Sequence, residues 1–180
     1  MNRLQQIRRA KRNGIRNPYL AWRAAKTAKI PFWVMCAFLI QESGGGSNIY
    51  GHDVDSSGNP RPFWGHGEVT EANYAAYKKE RDLGVTERNR FPDLGIRMQG
   101  VGPMQLTWYE FQDRADALGG CWDKYTNMLV GAQVLKAHYE SSERKSEIGR
   151  WRYAAYKYNG KQSYVDSIGP KLVEWQSLLT

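Results

Sequence analysis

The stretch CAFLIQESGGG, residues 36–46, runs apolar, presents one carboxylate at Glu42 and then breaks on three glycines. It closes a longer segment that opens at Pro31, FWVMCAFLIQE. A helix apolar nearly all round has no solvent face and belongs at the centre of a core. The glycines end it and let another piece of chain, or a ligand, come close. Glu42 therefore stands at the C-terminal end of a buried helix, against the negative pole of its dipole and just after Phe38 and Leu39. Dipole and partial desolvation both disfavour the ionised carboxyl and raise its pKa, which suits a general acid working near neutral pH. The other reading of the same residue is a helix-terminal Glu that points into water.

The remainder of the chain also reads mostly as helix. Asn17-Pro18 is an N-cap with Pro at the first helical position, opening a segment over about 17–29. Thr70 opens a helix expected to run to Leu83, where Gly84 stops it. Thr107-Trp108-Tyr109-Glu110 has the form of a capping box, followed by Trp108, Phe111, Ala115 and Leu118 on one stripe. Asp123 caps another helix, with Tyr125, Met128, Ala132, Leu135 and Tyr139 three and four apart. A further helix ends at Tyr158-Asn159-Gly160, and the last carries Val165, Ile168, Leu172, Trp175 and Leu179.

Between about 46 and 100 the pattern changes. GHDVDSSGNPRPFWGHGE, residues 51–68, is rich in turn formers and can hold a small hairpin. The expected architecture is mainly α: one domain over 1–180 around a buried central helix, with a basic segment over 1–16 and a long, largely irregular insertion.

At 180 residues with 41% hydrophobic and 13% aromatic side chains, the chain can bury a real core, and disorder is not the default. The longest apolar run, 30–40, is too short to span a bilayer and ends in QES rather than a signal-peptide cleavage site. Cys36 and Cys121 do not make a disulfide framework and read as two free thiols. The net charge of +8 is unevenly placed: nine basic residues and no acid precede Glu42. With 26 basic and 18 acidic residues overall, the rest carries 17 bases against those 18 acids. The basic end suits a polyanionic surface; its alternative is a solvated helix face.

Two distant strings bear on Glu42. Gly100-Val101-Gly102-Pro103-Met104-Gln105 leads into the capping box, and Ala154-Ala155-Tyr156-Lys157-Tyr158-Asn159-Gly160 ends a helix. With Glu42-Ser43 before them, these strings resemble the lysozyme-like superfamily, in the lytic transglycosylase and goose-type lysozyme branch found in phage endolysins. The family pattern is a helix ending in Glu-Ser, then Gly-x-Met-Gln, then Ala-Tyr-Asn-x-Gly, in that order. Asn127-Met128 with Gly131 also looks like that family's Asn-Ile-x-x-Gly helix. Pro103 departs from the usual small or aliphatic residue, and either Tyr156 or Tyr158 takes the family tyrosine's place; Tyr158 is preferred because Asn159 follows it.

The resemblance implies a lysozyme-like α+β fold and a bacterial peptidoglycan substrate. Glu42 would protonate the β-1,4 bond between N-acetylmuramic acid and N-acetylglucosamine. Ser43, Gln105, Tyr158 and Asn159 would bind or frame the sugar, with Trp64 or Trp108 as stacking candidates. Water attack with a second carboxylate, for which Asp53 and Asp55 are the candidates, gives a muramidase; attack by the muramic 6-hydroxyl gives a lytic transglycosylase and a 1,6-anhydro product. No cofactor is expected. Asp53, Asp55 and Ser57 form the front half of a calcium loop, but Trp64 stands where a bidentate Glu belongs, so calcium is the minor reading. His52 and His66, near Asp53 and Glu68, lack a zinc spacing. The expectation is a monomer without nucleic-acid partner or membrane insertion, made in a host cytoplasm without a signal peptide and reaching the wall after membrane permeabilisation. The rivals are a non-catalytic wall-binding module and a basic nucleic-acid binder.

Overall fold

The computed structural model describes residues 1–51, 67–90 and 98–180, with the backbone alone over 84–90. Among the described residues there are eight helices: α1 (Arg3–Arg12), α2 (Pro18–Ala28), α3 (Phe32–Ser43), α4 (Glu71–Arg90), α5 (Tyr109–Ala117), α6 (Lys124–Glu140), α7 (Glu147–Asn159) and α8 (Gln162–Leu179). The mainly α architecture expected from the sequence is the one observed.

Helix α3 is the axis. Residues 32–39 are all buried, and α2 and α8 pack against it. Helix α7 packs on α8, and α6 lies across α2, α5 and α7. Each large apolar side chain withdrawn from water in this way contributes roughly 1.5–3 kcal/mol. The last helix buries the predicted stripe of Val165, Ile168, Leu172, Trp175 and Leu179, and adds Tyr164. Both cysteines are buried free thiols.

The glycines after α3 act as expected on the chain itself. Gly44 closes the helix in the left-handed conformation, at φ 59°. A Cβ on Gly45 would lie 2.1 Å from the carbonyl oxygen of Gly14, so only glycine admits the loop that joins α1 to α2. The amide of Arg16 then donates to the Gly45 carbonyl at 2.9 Å. This locks the basic N-terminal segment to the acid-bearing end of α3.

The basic segment over 1–16 holds a helix, α1, in keeping with the helix-face alternative for its charge, and it starts on a reciprocal capping box between Asn2 and Gln5. Several local expectations are corrected. Asn17 makes no side-chain cap, and Pro18 alone sets the start of α2. Gly84 does not stop α4, which continues to Arg90. The Thr107 capping box does not form. Thr107 Oγ1 donates back to the Gln105 carbonyl at 3.2 Å, α5 begins after Trp108, and Leu118 is exposed. The cap at Asp123 holds, with Oδ1 accepting from the amide and hydroxyl of Thr126 at 2.8 and 2.9 Å.

The insertion is thus partly helical. Among the described residues its β character is limited to three isolated antiparallel bridges, Ile49 with Glu68, Tyr50 with Val101 and Val101 with Leu106. They draw the two ends of the insertion together beside the end of α3. The hairpin expected within 51–68 falls almost wholly outside the described residues. No described helix is long and apolar enough to cross a membrane.

Candidate active site

Three segments far apart in sequence meet at the C-terminal end of α3. The first is that end itself. Ser43 is buried, and its hydroxyl donates to the Pro103 carbonyl at 2.6 Å. The second is the turn over 102–105, held from behind by α6. Asn127, fully buried, accepts from the Met104 amide at 2.9 Å and donates to the Val101 carbonyl at 2.8 Å. Gly102 has φ 76°, and a Cβ there would lie 2.5 Å from Asn127 Nδ2, so this turn tolerates no side chain at that position. The third is the end of α7, where Tyr158 donates its hydroxyl to the Met104 carbonyl at 2.6 Å before Gly160 terminates the helix.

Between these segments lies a cleft of about 400 Å³, lined among others by Glu42, Gln105, Trp108, Tyr158, Asn159 and Lys161. That volume falls in the range of roughly 300–1,000 Å³ usual for ligand clefts. Glu42 is half-buried, and among the described lining residues it is the sole carboxylate. The hydroxyl of Tyr164, on the first turn of α8, donates to its Oε1. Burial pushes the Tyr164 phenol far above its ordinary range, and the charge of Glu42 beside it pushes the same way. Tyr158 is raised for the same two reasons in the same order. Both phenols therefore stay protonated, and Tyr164 remains a donor to the carboxyl.

Gln105 sits in the left-handed region at φ 48°, and its Nε2 donates to the carbonyls of Ile49 and Gly102 at 3.0 and 2.8 Å. The amide nitrogen thus ties the turn to the start of the insertion while the side chain lines the cleft. Trp108 is 39% exposed and tilted against Tyr109, with ring centroids 5.0 Å apart. An indole so placed offers a face to a sugar ring.

A comparison with protein-family models, curated proteins and solved structures finds no match to this chain.

The sequence-predicted site residues separate into three groups. Glu42, Gln105, Tyr158 and Asn159 line one cleft, and Trp108 joins them. Ser43 does not line it; its buried hydroxyl braces the 102–105 turn, so its part is structural. Asp53, Asp55 and Ser57, with His52, Trp64 and His66, lie outside the described residues. Glu68 is exposed and paired with Lys124 at 2.7 Å, which lowers its pKa. Among the described residues no three His, Cys, Asp or Glu side chains gather to hold a metal.

Sequence reasoning missed Tyr164, and nothing local flags it, since it sits on α8 as one more buried aromatic. It also missed the polar cluster that carries the cleft's outer wall. Gln112, fully buried on α5, donates to the carbonyls of Leu106 and Gln99 at 2.7 and 2.9 Å. Its Oε1 accepts from Arg81 at 2.9 Å, and Arg81 pairs with Asp113 at 2.5 Å. Gln112 thereby holds the segment that leads through Gln105.

Proposed function

We propose that this chain is a peptidoglycan-degrading muramidase of the phage endolysin type, causing bacterial lysis. The single observation that carries the reading is the meeting of Glu42, Gln105, Tyr158 and Asn159 on one cleft, from strings spread along 118 positions. In this reading Glu42 gives its proton to the oxygen of the β-1,4 bond between N-acetylmuramic acid and N-acetylglucosamine. The bond from the anomeric carbon to that oxygen breaks, and oxocarbenium character develops at the carbon. Water attacks that carbon and gives its proton to a second carboxylate, for which Asp53 and Asp55 are the candidates, which completes hydrolysis. Tyr164 orients the carboxyl, Trp108 stacks on a sugar face, and Gln105 and Asn159 meet the polar groups of the glycan. The enzyme reaches the wall from the host cytoplasm once the membrane is permeabilised.

The alternative reading is lytic transglycosylase action from the same acid, Glu42, at the same cleft. The muramic 6-hydroxyl then attacks, returning its proton to the Glu42 carboxylate and leaving a 1,6-anhydro end.

The test is Glu42→Gln, assayed on purified cell walls alongside a thermal melt. A positioned general acid is worth about 10²–10⁴-fold in rate, so lysis should fall at least about a hundredfold with the melt unchanged. Activity within a few-fold of wild type removes the assignment. Mass spectrometry of the wild-type products separates the two readings: hydrated reducing ends for the muramidase, anhydro ends for the transglycosylase.

A further inference from the structure

A second recess opens on the flank of α7 and α8. It has a volume of about 660 Å³ against about 400 Å³ for the cleft, and no role in the proposed reaction. The two are separated by the turn at Gly160: Tyr158, Asn159 and Lys161 line the cleft, while Tyr156 and Gln162 line the recess. Tyr156 and Tyr158 leave α7 about 200° apart, as positions two apart on a helix must. This divides the tandem tyrosines of the sequence. One packs against Phe38 with its hydroxyl bound, and the other is 45% exposed over the recess.

The chemistry of the lining is specific. Tyr153 and Tyr156 supply two aromatic rings, Arg144 and Arg152 two guanidiniums, and no carboxylate is among the described lining residues. Asp166 stands nearby, accepting from Gln162 Nε2 at 2.9 Å and lying 3.8 Å from Arg152. That ion pair is long, and Arg152 is 47% exposed, so screening by water leaves it weak. The Arg152 guanidinium lies over Gly169, where even a Cβ would come within 3.6 Å of its Cζ. Among the described residues Arg144 bonds through its backbone amide, to Ser142 Oγ at 3.3 Å, and its guanidinium makes no hydrogen bond or ion pair. Guanidinium forks match carboxylates in bidentate geometry, and phenol rings offer flat faces to the C–H surfaces of sugars.

We infer that this recess binds a carboxylate-bearing amino-sugar chain, a second stretch of the glycan strand on which the Glu42 cleft acts. The inference rests on the function proposed above for the ligand's identity. Two sites on one strand raise the effective concentration at the cleft and keep the enzyme on the polymer between cleavages.

The experiment uses the full chain carrying Glu42→Gln, so that the probe is not consumed, and follows it by NMR. The probe is soluble, uncrosslinked peptidoglycan strand, intact or with its carboxyls amidated. Expected are shifts at Arg144, Tyr153 and Tyr156 as well as at Gln105 and Trp108. Adding Arg144→Ala or Tyr156→Ala should weaken the recess binding about tenfold each while cleft shifts persist. Amidation should weaken the recess alone. Shifts confined to the cleft overturn the recess and leave the proposed function standing. Recess shifts that amidation does not weaken overturn the carboxylate assignment. Shifts at the recess without any at the cleft support the site and sink the glycosidase reading. No shift at either overturns both.

Discussion

Tyr164 and Glu42, separated by 122 positions in sequence, are joined by a hydrogen bond from the phenol of one to the carboxyl of the other. Tyr164 lies on the first turn of α8 and Glu42 on the last turn of α3, so the packing of these two helices sets the orientation of the proposed acid. The Tyr164 ring is itself held against Phe38, with centroids 6.5 Å apart.

Tyr164→Phe removes the donor and keeps the ring. The fold should lose roughly 0.5–3 kcal/mol, the span from a neutral hydrogen bond to one with a charged group. If the hydroxyl orients the carboxyl, kcat on soluble glycan falls about tenfold or more while KM stays within about twofold. A loss confined to KM, or a kcat close to wild type, contradicts the orienting role.

Asn127→Ala leaves the Met104 amide and Val101 carbonyl without their buried partner, a cost on the order of 2–6 kcal/mol for two groups. The 102–105 turn should also loosen, carrying Gln105 out of register. Urea denaturation measures the first effect. The second appears as lost activity at temperatures where the variant is still folded. An unaltered denaturation midpoint would contradict the account of Asn127.

Alkaline pH should unfold the protein early. Burial raises the phenols of Tyr50, Tyr74, Tyr77, Tyr158 and Tyr164, and holds the Cys121 thiol up to about 12. The folded chain therefore keeps protons that the unfolded chain releases above its ordinary tyrosine pKa, near about 10. The unfolded state binds fewer protons there, so stability falls as pH rises. Below that range these groups cost nothing. Urea midpoints, followed by loss of helix, should drop steeply between about pH 9 and pH 11. A midpoint that stays constant across that range would contradict this.

The basic face of α1 gives a salt-dependent prediction. Arg8, Lys11 and Arg12 are exposed, while Arg9 donates to the Leu178 carbonyl at 2.8 Å and caps α8. Reversing Arg8, Lys11 and Arg12 to Glu should weaken co-sedimentation with cell walls at about 0.01 M salt and have little effect near 1 M, where screening is complete within about 3 Å. Arg9 is left in place because its loss would act through stability. Equal effects at both salt concentrations would exclude electrostatic attraction.

Legibility followed the range of the signal. The all-apolar run before Glu42, the Asp123 cap, the Gly160 stop and the last helix's stripe are written within a few consecutive residues, and each forms as read. The Asn2–Gln5 capping box was equally local and was overlooked under the charge of its neighbours. Thr107 misled because its hydroxyl has a nearer acceptor in the Gln105 carbonyl, created by a turn with positive φ that no spacing rule announces. Gly84 misled because an isolated glycine costs a helix only about 1 kcal/mol, which does not oblige it to end.

By itself the sequence determined that this chain is helical, that α3 lies inside it, and that one acid ends that helix. Periodicity and capping act between neighbours, so they can be read in a line. Tertiary structure alone decided that Ser43 braces a turn instead of facing the cleft, that Tyr164 holds Glu42, and that a second recess lies under Tyr156. Each depends on which helix packs against which, and a hydrogen bond between side chains over a hundred residues apart exists only once that packing is complete.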